Sequence, residues 1–276
     1  MTLDKLLERI YDLPSIPKVV QDLIENFNSN SANADEISRN IQSDPVIAAK
    51  VLRLANSVRY GAGRKVSSLD SAVVLLGVDT LKTLVIASGI TGSFKAIPGL
   101  DAKEFWRSSF MVANICKLVA KNAQQLDAET AFTCGMLHNI GIALMHLTEP
   151  DKMIAIADQV SQGANRFDLE RGQFGFDNNL VGAQLAKAWK FPANIVSALE
   201  HQGNPLESDS FSHYAAVIKL SVFLNRGLEQ GMERDTLISE MPEALTAPLH
   251  LDRHHLSAQL AIALEAEDDI DELLAA

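Results

Sequence analysis

Cysteine is scarce in this chain: two residues of 276, Cys116 and Cys134. Each sits inside an apolar helical pattern, so a disulfide framework is excluded and both read as reduced core residues of a cytosolic protein. Basic runs are missing too. With 24 Lys and Arg against 35 Asp and Glu the formal net charge is −11, which repels a phosphate backbone unless cations are concentrated locally and so argues against a nucleic-acid partner. The first residues, MTLDKLLERIYDLP, interleave charge with apolar positions. They are therefore expected to be neither a signal peptide nor a membrane span, and the chain is expected to be cytoplasmic. No stretch of alternating β-branched residues makes a strand, no internal repeat appears, and no glycine-rich phosphate loop or nucleophile motif stands out.

What the sequence does contain is apolar spacing of helical period. Hydrophobic residues make up 47% and charged residues 21%, the balance of a globular chain with a substantial core. Val19, Val20, Leu23, Ile24 and Phe27 follow three-and-four spacing after the Leu13–Pro17 corner. Asp44-Pro45 supplies an acidic cap and a first-turn proline for a helix over Val46–Ser57. Further helices are predicted over about 34–43, 67–77, 78–91, 101–124, 151–161, 178–189, 192–201, 211–228 and 256–264. The fold class is therefore all-α, a bundle of packed apolar stripes. A glycine, a proline and another glycine within Ser93–Gly99 mark the expected boundary between residues 1–98 and residues 99–276.

Ala131–Leu147, AFTCGMLHNIGIALMHL, reads as the central helix, apolar on nearly every face and so buried. His138 and Asn139 are its polar exceptions. Burying an unpaired imidazole or amide costs about 1–3 kcal/mol, so a metal or a hydrogen bond must satisfy them. Asn139 matters here because a neutral amide offers a hard cation one weak acceptor where a carboxylate offers anionic oxygen.

LPSIPKVVQDL, IQSDPVIAAKVLRLANS, VSSLDSAVVLLGVDTLKTLVIAS, FWRSSFMVA, GMLHNIG, VGAQLAKAWKFP and IVSALEHQGNP together resemble the HDOD family, helical output domains of bacterial signalling proteins. The likeness covers about residues 13–225. It implies an N-terminal helical subdomain packed on a bundle similar to the HD and HD-GYP metal-dependent phosphohydrolases, whose GLLHDIG doublet is GMLHNIG here. Residue by residue, the resemblance places Ser108, His138, Asn139 and Ser221 at the four mononuclear ligand positions, Asn178 at a further histidine, and His201-Gln202 at a histidine pair. One natural ligand of the four is kept. The resemblance then implies a vestigial pocket, no catalytic residues and no cofactor, in a regulatory domain acting through signalling proteins or a small ligand. The alternative it carries is a divalent-metal phosphohydrolase acting on nucleotides or cyclic dinucleotides.

Several residues keep two readings. His138 is a residual metal or nucleotide contact, or a core histidine held by a serine or a backbone carbonyl. His201 is a ligand, or a helix-end imidazole favoured by the dipole. Ser108, Asn139, Asn178 and Ser221 line a neutral polar pocket, or form a structural network. Arg53, Asn56, Ser57, Arg59 and Tyr60 make an interaction loop, or simply end a helix in solvent. His254-His255 reads as a solvated helix start, Glu265–Glu272 as a solvated tail, and Trp106 and Trp189 as core anchors.

Overall fold

Several helices are opened by side chains that accept from first-turn N–H groups with no partner within the helix. Asp44 accepts from Val46 and Ile47, both at 3.1 Å, Ser68 from Ser71 at 3.2 Å, and Asp101 from Lys103 at 2.8 Å. Asp127 accepts from Thr130 at 2.7 Å and Asp177 from Asn179 at 3.1 Å. The computed structural model describes residues 3–8, 16–25, 27, 34–56, 66–94, 96–206 and 211–264. Among them are seventeen helices and no named strand. Arg59 and Tyr60 of the expected interaction loop, with Ser57 beside them, lie outside the described residues, as do Leu13–Ser15 and Glu265–Glu272.

The N-terminal helices are α1 (Leu3–Glu8), α2 (Lys18–Glu25), α3 (Ala34–Gln42), α4 (Pro45–Ala55), α5 (Leu69–Leu76) and α6 (Val78–Ser93). Helix α6 is buried all round, every residue from Leu81 to Thr91 included, as expected for a helix with neighbours on all sides. Gly77 turns the chain between α5 and α6 at φ 79, a left-handed conformation that glycine adopts without steric cost. Among the described residues no single helix is long and apolar enough to cross a membrane; α5 and α6 together are, but they bend by 117°.

The second half comprises α7 (Ala102–Lys121), α8 (Ala128–Leu137), α9 (Ile140–Thr148), α10 (Pro150–Ser161), α11 (Arg166–Phe174), α12 (Asn178–Ala188), α13 (Ala193–His201), α14 (His213–Glu229), α15 (Arg234–Glu240), α16 (Glu243–Thr246) and α17 (Arg253–Leu264). Helices α7 and α8 form the most extensive pair, α14 covers α7, and α12 packs on both α9 and α13. One apolar core runs from Leu6 to Leu260 and is continuous across residue 98. The halves also meet through a polar lock: Thr80 and Thr83 of α6 each donate to the Glu129 carboxylate at 2.9 Å, which is paired with Lys117.

The expected single helix over Ala131–Leu147 is two helices. It breaks at His138-Asn139, where Asn139 adopts φ −104 and ψ 8. The apolar pattern continues through the break, which is why spacing alone does not mark it. Trp106 is buried with its indole N–H donating to Phe94 O at 3.3 Å, and Trp189 is half-buried, its ring 6.2 Å from that of Phe94.

Candidate functional site

The break between α8 and α9 puts His138 at a helix end instead of mid-helix. Its ring nitrogen Nδ1 lies 2.7 Å from Gly135 O, and because a carbonyl only accepts, Nδ1 carries the proton. Its own backbone carbonyl accepts from Gln202 Nε2 at 2.8 Å. Burial pushes the imidazole down to about 4 against a smaller opposing effect of the Gly135 bond, so His138 is neutral with Nε2 bare. Since this value lies below that of an unfolded-state histidine, the unfolded chain binds the proton first as pH falls, and stability is lost on acidification. Between about pH 7 and about pH 5 the His138 contribution is expected to fall by about 2 kcal/mol. Urea unfolding of the wild type and of His138→Gln, which keeps a donor for Gly135, should show the smaller pH dependence in the variant.

The remaining expected pocket residues divide. Gln202 meets His138 directly and also donates to Leu199 O at 3.2 Å. Asn139 is half-buried at the helix break and makes no side-chain cap bond. Ser108 is half-buried on α7. Ser221 is fully buried on α14. Its hydroxyl has no hydrogen-bond partner of ordinary geometry, but it stands against the Cys116 thiol, where it partly opposes the burial that raises that thiol to about 12. Neighbouring Cys134 is raised by burial in the same way. His201 ends α13, with Nδ1–H donating to Ser197 O at 2.9 Å. Asn56 is tied to Val66: Nδ2 donates to Val66 O at 2.7 Å and Oδ1 accepts from Val66 N at 2.6 Å. Arg53 is exposed beside it.

Asn178 belongs to a network that local sequence does not reveal. Its backbone N–H and its Nδ2 both donate to Glu170 Oε2, at 2.8 and 2.7 Å. Glu170 is wholly buried, and Arg166 Nη1 stands 3.5 Å from its Oε1. Burial raises the Glu170 carboxyl, against the Asn178 bonds and the Arg166 charge. His146 is buried nearby with Nδ1–H donating to Pro98 O at 2.9 Å, and burial, helped by the Arg166 charge, lowers it. This network fixes the start of α12, whose backbone rests on Gly141 just past the His138-Asn139 break.

A divalent ion in an oxygen and imidazole site needs several anionic or imidazole donors held together. At the four mononuclear positions there are one imidazole nitrogen, His138 Nε2, and the neutral oxygens of Ser108, Asn139 and Ser221. Among the described residues no group of three or more His, Cys, Asp or Glu side chains is placed to hold a metal ion. The residues present do not fit the metal of the HD phosphohydrolases.

A model of the HDOD domain matches residues 13–205. The chain belongs to the HDOD family. A structure from Shewanella amazonensis SB2B, provisionally described as a phosphohydrolase, superposes with a TM-score of 0.85 at 32% identity, covering 98% of this chain and 97% of that one. An HDOD domain protein of unknown function from Geobacter sulfurreducens follows the same fold at 23% identity, with a TM-score of 0.82 over 98% and 97% of the two chains. A chain from Marinobacter aquaeolei VT8, provisionally described as a signal transduction protein, gives 0.79 at 24% identity over 98% of this chain and 60% of that one. A Treponema pallidum (strain Nichols) protein without assigned function is 21% identical over 242 residues, 87% of this chain and 46% of the relative. This HDOD chain thus spans about half the length of the curated relative it matches.

Proposed function

We propose that this HDOD chain is a non-catalytic regulatory domain of a bacterial signalling pathway, cytoplasmic, acting by contact with a signalling protein or a small ligand. The observation that carries this reading is the state of the His138-Asn139 doublet. The imidazole proton is committed to Gly135 O, the histidine carbonyl is held by Gln202, and the neighbour is an amide where an HD enzyme needs a carboxylate. The Gly135 bond orients the ring as it would in a metal-ligating histidine, so what speaks against an ion is the company of Nε2: among the described residues no group of three or more His, Cys, Asp or Glu side chains is placed to hold one. Residues 1–98 and 99–276 then act as two halves of one unit, joined by the buried core and the Glu129 lock.

The reading is tested by assaying the purified protein with manganese against bis(p-nitrophenyl) phosphate and cyclic dinucleotides. Hydrolysis is expected to equal the buffer blank and to be unchanged in His138→Ala. Turnover that disappears in this variant would instead establish the phosphohydrolase alternative.

A further inference from the structure

A second concavity lies along α13 and the start of α14, away from the His138 doublet. Its volume is about 640 Å³, inside the range of small-molecule sites, about 300–1,000 Å³. Gln124, Gln125, Asn194, His201, Tyr214 and His250 are among its lining, together with Ser212 and the Phe211-His213 ring pair. Among the described residues no Lys, Arg, Asp or Glu lines it, although such residues make up 21% of the chain.

Two backbone observations set this cleft apart. Gln125 has φ 59 and His250 has φ 48, so two of its lining residues hold left-handed backbone that side-chain-bearing residues rarely adopt. Such conformations are strained and cluster at ligand clamps. The two segments are tied together beside them, Gln124 N–H donating to Leu249 O at 3.1 Å. Glycine at either position would relieve the backbone; this chain has a carboxamide and an imidazole there instead. Among the described residues neither the Gln124 and Gln125 carboxamides nor the His250 imidazole hydrogen-bonds within the chain. All three side chains are exposed at the cleft, so their donors and acceptors meet water or a ligand.

We infer that this cleft binds an uncharged heteroaromatic ring carrying a neutral polar substituent, a molecule of nucleoside or pterin type. Carboxamides pair in-plane with ring nitrogens and exocyclic amines, and aromatic side chains offer ring faces for stacking. Among the described residues the lining has no Lys or Arg to hold a phosphate and no carboxylate to hold an amine, which favours a ligand whose recognised part is neutral. This inference goes beyond the regulatory reading above and holds whether or not the His138 pocket has a ligand of its own.

The test is calorimetric titration of the full chain with adenosine, guanosine, uridine and neopterin, beside AMP and GMP. At least one neutral compound should bind saturably, and adding a phosphate should not tighten it. Gln125→Gly and His250→Gly should each keep or raise the melting temperature, because the backbone strain is relieved, while weakening binding about tenfold through the lost side chain. No saturable binding by any of the four neutral compounds would overturn the proposal. Binding confined to AMP and GMP, or binding that both glycine variants leave intact, would do the same.

Discussion

Gly141→Ala is expected to destabilise the protein by about 4 kcal/mol or to prevent folding, among the largest effects a single methyl can have. A Cβ at Gly141 would stand 1.9 Å from Asn178 O, 2.9 Å from Asn178 C and 2.8 Å from Gly182 N. All three are backbone atoms, so no side chain can rotate aside. Helices α9 and α12 would have to separate, opening the core around Ile140, Leu144 and Val181, which are buried to 1% exposure or less. Gly182→Ala is the control at the same crossing. Its Cβ would meet Gly141 N at 3.3 Å and Ile140 Cγ2 at 3.4 Å, a tightness that shifts of a few tenths of an ångström absorb, and its expected cost is under about 2 kcal/mol. Urea denaturation of the two variants measures the difference. Equal, small losses would mean that the helices cross with more room than the structure has.

The second large effect is expected at Glu170. Replacing it by alanine strips the acceptor from two donors of Asn178 and leaves Arg166 facing a void 3.5 Å away. Removing one member of a buried charged pair costs about 3–5 kcal/mol, because the partners stay buried without compensation. Arg166 is partly exposed and can turn toward water, so the lower end, about 3 kcal/mol, is expected here. Glu170→Gln keeps an oxygen for Asn178 and should lose much less. The contrast between the two variants, read as unfolding midpoints, separates loss of the acceptor from loss of the charge. If Glu170→Ala unfolds with the wild type, the carboxylate does not hold the start of α12.

The helical fold was legible in the sequence because the relevant signals are local. Asp44-Pro45, Ser68 and Asp101 announce helix starts that the structure repeats with bonds to first-turn N–H groups. Cys116 and Cys134 are buried, as their apolar surroundings imply. The break at His138-Asn139 was not legible, because residues on both sides continue the same apolar pattern and the close backbone approach just past it, Asn178 against Gly141, comes from a residue 37 positions further on. Helix α11 was missed for a related reason. Arg166–Phe174 carries little apolar periodicity, and its most deeply buried side chain is a glutamate. The short helices α15 and α16 have only two buried residues each to betray them.

At the candidate site the sequence named His138, Asn139 and Gln202, and the structure joins His138 to Gln202. It did not name Gly135, because the acceptor for His138 is a backbone carbonyl and leaves no trace in residue type. Glu170 gave no signal as a partner of Asn178, since pairing across eight residues depends on how two helices dock; Arg166 meets Glu170 at four-residue spacing within α11. The cleft along α13 was equally hidden. Gln125 and His250 are ordinary polar residues until their backbone conformation is known.

Metal content of the full chain decides the central claim most directly. After incubation with manganese, iron, magnesium or zinc and removal of free ion, wild type and His138→Ala should carry the same trace amount, far below one ion per chain. A stoichiometric ion in the wild type that is lost in His138→Ala would contradict the account and return the protein to the phosphohydrolases.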